Sequence, residues 1–196
     1  MVLSFMVLME EYKMNKYLIV IDMQNDFIDG ALGTPEAQAI VPKVKEKIER
    51  AKENGDKIIF TRDTHYEKYL NTMEGKNLPV EHCIRYTHGW EISSELNVDG
   101  CYAIIDKPSF GYIDWKRYLD DWFENETEVW TEGPSHIELV GLCTDICVVS
   151  NALILKALYP ETNIVLDASC CAGVTPETHQ AALTTMKMCQ IKVIGE

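Results

Sequence analysis

The sequence predicts a three-layer α/β/α fold built around a six-stranded parallel sheet. Short apolar runs alternate along the chain with segments whose apolar residues recur at helical spacing. The runs are continuously apolar, as in strands that helices cover on both faces. A chain of 196 residues, 46% of them hydrophobic, suits one domain with a large core. Together these features indicate a doubly wound, Rossmann-like sheet.

The first half of the chain is predicted to supply three strands and one long helix. A stripe of apolar residues predicts a helix over 36–54, and Gly55 stands where a C-terminal cap is expected. The stretch 63–99 is too long for a plain connection, and such loops in compact domains are usually functional. The three strands are KYLIVI at 16–21, KIIFT at 57–61 and YAIID at 102–106.

The second half repeats the alternation and supplies three more strands. Amphipathic patterns predict helices over 114–125, over about 145–158 and over 175–188. The last of these has Thr175 as N-cap and Pro176 at its first position. The three strands are IELVG at 137–141, NIVLD at 163–167 and IKVI at 191–194.

Charge and cysteine content restrict the partners and the compartment. The formal net charge is -13 and no long basic run occurs, which argues against nucleic acid or an anionic membrane as partner. Seven scattered cysteines without a CxxC pair favour reduced thiols, and hence a cytoplasmic protein. No stretch is long enough to span a membrane.

The start of the chain has the composition of a dispensable leader. The segment MVLSFMVLMEEYK lacks the basic beginning and the small-residue cleavage site of a signal peptide. A second methionine, Met14, directly precedes the first predicted strand. We therefore expect residues 1–13 to be non-essential and residues 14–196 to form the single domain.

Reactive side chains follow four of the predicted strands. Asp22 comes after the first strand, Asp63 and His65 after the second, Lys107 after the third and Cys147 after the fourth. Ligands of open parallel sheets bind beyond the carboxyl ends of the strands. We therefore expect a carboxylate, an ammonium, a thiol and a pair of metal-ligand types to be neighbours.

Two cysteines four residues apart invite different interpretations. Cys147 is predicted in the first turn of a helix, where free N–H groups and the helix dipole favour a thiolate. A buried cysteine that packs as a small hydrophobe is the alternative for an isolated thiol. The position of Cys147 near Asp22 and Lys107 favours chemistry, and Lys107 is expected to hold both partners in charged form. Cys143 is interpreted as structural, contributing its backbone.

The loop after the second strand contains residues typical of a metal site. Asp63 and His65 stand two apart, His82 can approach from the far side of the loop, and Glu74 is a possible fourth ligand. Glu81 is a competing ligand beside His82. Imidazole and carboxylate ligands with open positions are typical of catalytic zinc, manganese or iron.

Five motifs resemble those of the isochorismatase-like cysteine hydrolases, and within them the nicotinamidases. They are VIDMQNDF, RDTHY, LPVEHC, KPSF and GLCTDICV, and the resemblance runs from about Met14 to the C-terminus. It implies the isochorismatase-like hydrolase fold and a catalytic triad of Asp22, Lys107 and Cys147. It also implies an oxyanion hole made by the backbone N–H groups of Cys143 and Cys147, with a cis peptide bond between Leu142 and Cys143.

The same resemblance implies a divalent metal and an aromatic pocket. Zinc is expected first, with manganese or iron as alternatives, and a substrate ring nitrogen would bind it. Phe27 matches a residue that packs on the substrate ring. Leu78 stands where the family usually has an aromatic, and PVEH replaces the usual PPH, so the pocket wall and the placement of His82 differ. The implied metal ligands are Asp63, His65, Glu74 and His82.

The expected activity is hydrolysis of nicotinamide to nicotinate and ammonia through a thioester on Cys147, a step of NAD salvage. One alternative keeps the triad but takes another small amide or an N-carbamoyl compound. Isochorismate hydrolysis is disfavoured, because those enzymes lack the catalytic cysteine. A different class, a non-catalytic metal-binding scaffold, would leave Cys147 inert. The expected partner is a small-molecule amide, in a homo-oligomeric protein.

Overall fold

The computed structural model describes the backbone of residues 15–124 and 129–196. The predicted leader, residues 1–13, lies outside this description. Within it, eight strands occur: β1 (Lys16–Ile21), β2 (Lys57–Asp63), β3 (Ala103–Lys107), β4 (Asp121–Glu124), β5 (Val129–Glu132), β6 (His136–Leu142), β7 (Asn163–Ala172) and β8 (Lys192–Ile194).

Six of these strands form one parallel sheet in the order β3-β2-β1-β6-β7-β8. The predicted six-stranded parallel sheet is therefore confirmed. The chain leaves β1 toward one edge of the sheet and leaves β6 toward the other, so β1 and β6 flank the point where the strand order reverses. Ligands of doubly wound sheets bind at that point, beyond the carboxyl ends of the strands.

Helices cover both faces of the sheet and create two apolar cores. Successive residues of β1 alternate between them: Ile19 faces one core and Val20 the other, and neither is exposed. No helix in the described ranges is long and apolar enough to cross a membrane. The α-helices are α1 (Asn25–Ile28), α2 (Pro35–Asn54), α3 (Met73–Asn77), α4 (Lys116–Leu119), α5 (Val149–Leu158) and α6 (Pro176–Met188).

The caps of the two longest helices are those that the sequence predicts. Helix α2 ends at Gly55, whose φ of 74° lies in the left-handed region that glycine adopts without strain. The Thr175 hydroxyl accepts a hydrogen bond from the Thr178 N–H at 3.2 Å and caps α6, with Pro176 in its first turn. Local chemistry therefore sets the end of α2 and the start of α6.

The helix predicted over 114–125 is wrong. Helix α4 covers only Lys116–Leu119, and Asp120 then turns to extended backbone with φ -82° and ψ 126°. The chain continues as β4, which pairs antiparallel with β5. The segment DWFE carries two aromatic residues of high strand propensity, and its pairing partner lies further along the chain. Periodicity within one segment does not reveal such a pairing.

A partly buried ion-pair cluster ties α2 to β6 and β7. Lys47 Nζ lies 2.8 Å from Glu138 Oε1 and 2.7 Å from Asp167 Oδ2. Burial opposes ionisation of Asp167, but its hydrogen bonds with Lys47 and Ser169 hold its pKa below the ordinary value. The cluster therefore adds charge contacts to the apolar packing that holds the helix against the sheet.

The variant Lys47→Met is expected to lower the free energy of unfolding by about 2 kcal/mol at neutral pH, because it leaves Asp167 largely buried without its cation. A lowered folded pKa gives stability that is present above the unfolded pKa of about 3.9 and lost as pH falls through the folded value. The wild-type advantage should therefore shrink below about pH 4. Urea unfolding at several pH values measures the difference in the free energy of unfolding between wild type and variant. The exposed Lys43→Met is the control, and an equal loss there would contradict the prediction.

Candidate active site

A cavity of about 670 Å³ opens at the carboxyl end of the sheet, and apolar side chains form most of its wall. Three other predicted site residues, Asp22, His65 and Lys107, contact residues of this wall. The predicted site residues in the wall itself are Phe27, Asp63, Glu74, Leu78, His82, Cys143 and Cys147. The structure therefore brings all ten predicted residues to one place.

The buried Lys107 ammonium connects a carboxylate to a thiol. Its Nζ lies 2.6 Å from Asp22 Oδ2 and 3.5 Å from Cys147 Sγ. It also donates a hydrogen bond to the Ser109 carbonyl at 3.1 Å. Asp22 and Lys107 are 0% exposed and Cys147 is 4% exposed. Three reactive groups thus meet in a region largely shielded from water, where charges interact strongly.

Thr61, which the sequence analysis did not single out, orients the carboxylate. Its hydroxyl donates to Asp22 Oδ1 at 2.6 Å and accepts from the Asp22 N–H at 3.2 Å. Asp22 has a φ of 47°, a left-handed conformation that is uncommon for a residue other than glycine. The hydroxyl bonds support that backbone and aim the carboxylate toward Lys107. The available signal was a threonine at the end of an otherwise apolar strand.

The resting charges differ from those that the sequence predicted. Burial, and then the charge of Asp22, raise the pKa of the Cys147 thiol well above its ordinary value, although Lys107 opposes them. Burial also raises the pKa of Asp22, against the opposing charge of Lys107. Burial disfavours the ammonium of Lys107, but the charges of Asp22, Cys147 and Asp63 raise its pKa. Both directions favour the uncharged forms of Cys147 and Asp22, whereas the sequence analysis expected Lys107 to favour the charged forms.

Cys147 lies in a widened helical turn. The predicted helix from about residue 145 begins as a π-helical turn, Thr144–Val148, and continues as α5. Such turns are frequent at functional sites. The peptide bond between Leu142 and Cys143 is cis, as the family resemblance implied. Burial, its largest cause, raises the pKa of Cys143 to about 12, so this thiol is neutral near pH 7.

Four side chains converge as metal ligands do. One ligand atom from each of Asp63, His65, Glu74 and His82 lies within 4.8 Å of the others. The distance from His65 Nε2 to Asp63 Oδ2 is 2.9 Å and to Glu74 Oε1 3.5 Å. His82 Nε2 lies 3.6 Å from Asp63 Oδ2. Ligands at about 2.1 Å around a tetrahedral ion stand about 3.4 Å apart, so these separations fit a small divalent cation.

The chemistry of these atoms also fits a cation. Asp63 Oδ1 and His65 Nε2 are buried without an aligned hydrogen-bond partner among the described residues. His82 Nδ1 lies 2.8 Å from the Val80 carbonyl, which suits an N–H donor there and leaves the lone pair on Nε2. Burial opposes ionisation of Asp63, but the imidazoles of His65 and His82 and the charge of Lys107 hold its pKa below the ordinary value.

Gln24 supports the metal-ligand strand and was also missed. Its amide nitrogen donates to the carbonyls of Asp63 at 2.9 Å and Trp90 at 2.8 Å, and its oxygen accepts from the Asp63 N–H at 2.7 Å. It is 0% exposed, and a buried amide persists only when bonded in this way. Glu81, the competing ligand considered from sequence, is exposed and outside the ligand cluster.

Comparisons with known proteins agree over almost the whole chain. Residues 16–195 match the family described as the isochorismatase domain. The pyrazinamidase of Pyrococcus horikoshii in complex with zinc is 31% identical with a TM-score of 0.73, covering 93% of this chain and 99% of that chain. The nicotinamidase of Saccharomyces cerevisiae is 24% identical over 92% of this chain and 100% of its own. A probable inactive nicotinamidase of Arabidopsis thaliana is 30% identical over 94% of each chain.

Proposed function

Because this chain belongs to the isochorismatase family, we propose that it is a metal-dependent cysteine amidohydrolase that converts nicotinamide and water to nicotinate and ammonia. The observation that carries the proposal is the buried contact of Lys107 with both Asp22 and Cys147 at the wall of the cavity. Relatives named nicotinamidase or pyrazinamidase support the choice of an aromatic amide.

The first chemical step is attack by sulfur on the amide carbon. Asp22 accepts the proton of the Cys147 thiol, and its raised pKa makes it a stronger base than an exposed aspartate. The Lys107 ammonium, 3.5 Å from the sulfur, stabilises the thiolate as the charge forms. The sulfur then bonds to the carbonyl carbon, and the carbonyl oxygen becomes an oxyanion.

The second step expels ammonia and the third hydrolyses the thioester. The backbone N–H groups of Cys143 and Cys147 are proposed to donate to the oxyanion, which is the largest source of stabilisation in many acyl transfers. The proton on Asp22 passes to the amide nitrogen, the carbon–nitrogen bond breaks and a thioester to Cys147 remains. Asp22 then activates water, whose attack releases nicotinate and returns the proton to the sulfur.

The metal is proposed to orient the substrate. Asp63, His65, Glu74 and His82 would hold zinc, with manganese or iron as alternatives. When bound, the cation supplies a Lewis-acid point for the ring nitrogen, which directs the carboxamide toward Cys147. Asp63 links the two sites, because its Oδ1 lies 3.7 Å from Lys107 Nζ.

The ring pocket is proposed to lie between Phe27 and Leu78. Phe27 is buried, and its ring centroid lies 5.5 Å from that of His82. Leu78, 38% exposed, offers a flexible aliphatic surface where an aromatic wall would hold a ring more rigidly. Another small amide or an N-carbamoyl compound is therefore the alternative substrate that an assay must include.

The test is ammonia release by the purified protein from nicotinamide, pyrazinamide, aliphatic amides and N-carbamoyl amino acids. Fast release from nicotinamide supports the proposal. Release from another compound alone keeps the cysteine amidohydrolase and replaces the substrate. Absence of release from all of these compounds, together with alkylation of Cys147 by iodoacetamide no faster than that of the buried Cys171, would contradict the proposal and favour the metal-binding scaffold, because a thiol beside a carboxylate and an ammonium reacts faster than an inert buried thiol.

Removing one ligand should release the metal. We expect Asp63→Asn to lower zinc affinity at least about 100-fold, because it replaces a charged ligand in a four-ligand site. Metal content after dialysis against a weak chelator, measured by elemental analysis, checks this. The matched control is Glu81→Gln, which changes an exposed carboxylate beside His82 and should retain the metal. Equal metal loss in both variants would contradict the assignment.

The other expectations remain predictions. They are a homo-oligomer, a cytoplasmic location and a single domain over 14–196. Light scattering reports the oligomeric state, and the activity of a chain that begins at Met14 reports whether residues 1–13 are dispensable.

A further inference from the structure

Asn151 is a buried polar residue for which the mechanism above has no role. It lies in α5, one turn after Cys147, and is 0% exposed. An unbonded amide in an apolar interior costs several kcal/mol, about 2–7 depending on the reference. Its hydrogen bonds therefore explain its presence, and most of them go to the turn of Cys147 and to the loop after Lys107.

One bond of Asn151 supports the widened turn that carries the nucleophile. Its Nδ2 donates to the Cys147 carbonyl at 2.8 Å. The neighbouring Ser150 hydroxyl donates in the same way to the Ile146 carbonyl at 2.6 Å. Side-chain donors thus reach two successive carbonyls of the turn, and Asn151 is the one that also bonds to the loop after Lys107.

The remaining bonds of Asn151 hold the loop that follows Lys107. Nδ2 also donates to the Phe110 carbonyl at 3.0 Å, and Oδ1 accepts from the Tyr112 N–H at 2.9 Å. Oδ1 accepts a further bond from the Trp115 ring N–H at 3.2 Å. Both N–H groups and both acceptor positions of the amide are used, which leaves it a single orientation.

This loop in turn holds the ammonium. Lys107 Nζ donates to the Ser109 carbonyl at 3.1 Å, one residue before the Phe110 carbonyl that Asn151 holds. The loop also packs closely on α5, because a side chain at Gly111 would collide with Ile154. A shift of the loop relative to α5 would therefore change the 3.5 Å distance from Lys107 Nζ to Cys147 Sγ.

We propose that Asn151 is a positioning residue that fixes the loop after Lys107 against the turn of Cys147, and so sets the distance between ammonium and sulfur. The proposal rests on the proposed function for the role of these two groups. It assigns no contact with substrate to Asn151. The clamp joins two segments about forty residues apart in the chain through one amide.

Two variants and one control test the proposal. Asn151→Leu removes all four bonds with a side chain of similar size. Asn151→Thr keeps a hydroxyl able to reach the Cys147 carbonyl but is too short to hold the loop. The control Ser150→Ala removes the adjacent bond to the turn and leaves the loop clamp in place. The folded fraction of each variant is checked by circular dichroism well below its Tm.

The first measurement is the rate of Cys147 alkylation by iodoacetamide at pH 7, which does not depend on any substrate. We expect a fall of about tenfold in both Asn151 variants, because the ammonium no longer stands where it stabilises the thiolate. A merely structural residue would give the opposite result, since loosened packing exposes the thiol and speeds alkylation. Ser150→Ala should stay within about twofold of wild type.

The second measurement is steady-state ammonia release. We expect kcat to fall about 10- to 100-fold in both Asn151 variants, as small displacements of catalytic groups do, while KM changes less than about threefold. Alkylation at or above the wild-type rate in folded Asn151→Leu would overturn the proposal. A wild-type alkylation rate and kcat in Asn151→Thr would also overturn it. This variant therefore tests the proposal even if Asn151→Leu does not fold. If wild type releases no ammonia, the proposed function fails, while alkylation still decides the role of Asn151.

Discussion

Cys147→Ala is expected to abolish ammonia release, with kcat reduced at least about 10³-fold, because no other group can form the thioester. Among the described residues, Cys147 Sγ is the thiol that contacts the Lys107 ammonium, at 3.5 Å. The substitution removes one small atom from a core position and keeps the helical turn, so the protein should remain folded. Discontinuous ammonia assays with long incubations have the range to measure such a loss.

A matched control separates chemistry from packing. Cys171→Ala removes another buried thiol, 5% exposed, from strand β7, and it should keep kcat within about threefold of wild type. Cys143→Ala is the sharper comparison, because Cys143 lines the same cavity. If Cys143 contributes its backbone alone, its loss in kcat will be at least about 100-fold smaller than that of Cys147→Ala. Equal losses in the two variants would contradict the assigned roles.

The substrate-free reaction of the thiol provides a second check. Iodoacetamide should modify Cys147 in wild type, and mass spectrometry should locate the label on the peptide that contains it. Inactivation must then follow labelling with one label per active site. Activity that survives complete labelling of Cys147 would exclude it as the nucleophile.

The fold can be predicted from sequence wherever a strand or helix is determined by its own local residue pattern. Buried parallel strands have continuous apolar runs, so all six strands of the main sheet were predicted from sequence; β2 and β6 are slightly longer than expected, and β7 extends furthest beyond its predicted end. The β4–β5 pair was not predicted, because its strands are stabilised by each other. A helical spacing of apolar residues in 114–125 arises without a long helix, because the short helix α4 is enough to bury Trp115 and Leu119.

The site was predictable where position alone determines function. Residues that directly follow parallel strands must meet, and this rule locates Asp22, Lys107 and Cys147. It does not find Thr61, Gln24 or Asn151. Most of their hydrogen-bond partners lie 36 to 66 residues away in the chain, and no sequence period relates the partners. These contacts exist only after the chain has folded.

The state of the thiol was mispredicted for an energetic reason. A helix start lowers the pKa of a cysteine by a dipole effect worth about 0.3–1 kcal/mol near the surface. Burial disfavours the charged form, and it is the largest cause of the raised pKa of Cys147. Sequence spacing reveals the helix start but not the depth of burial. In the proposed mechanism, a thiol with a raised pKa needs a base to take its proton.

Asp22→Asn is therefore expected to reduce kcat about 10³-fold, in the middle of the range for loss of a general base. The amide keeps the shape of the carboxylate and can still bond to Thr61, but it cannot take the thiol proton. Because the pKa of Asp22 is raised, the acid limb of wild-type kcat/KM should lie at a pH above the ordinary aspartate pKa of about 3.9. That limb should be absent from the residual activity of the variant.

Stability must be measured beside the rate, because Asp22 also neutralises Lys107. Removing one partner of a buried ion pair costs about 3–5 kcal/mol, so some loss of Tm is expected. Asp167→Asn is the control for this effect, since it breaks an ion pair with Lys47 outside the cavity wall and should lower Tm while leaving kcat unchanged. If both variants lose activity only as they lose folded protein, Asp22 is structural. A fully folded Asp22→Asn that still turns over at the wild-type rate would transfer the role of base to another group, and the raised proton affinity of this carboxyl would then have no catalytic use.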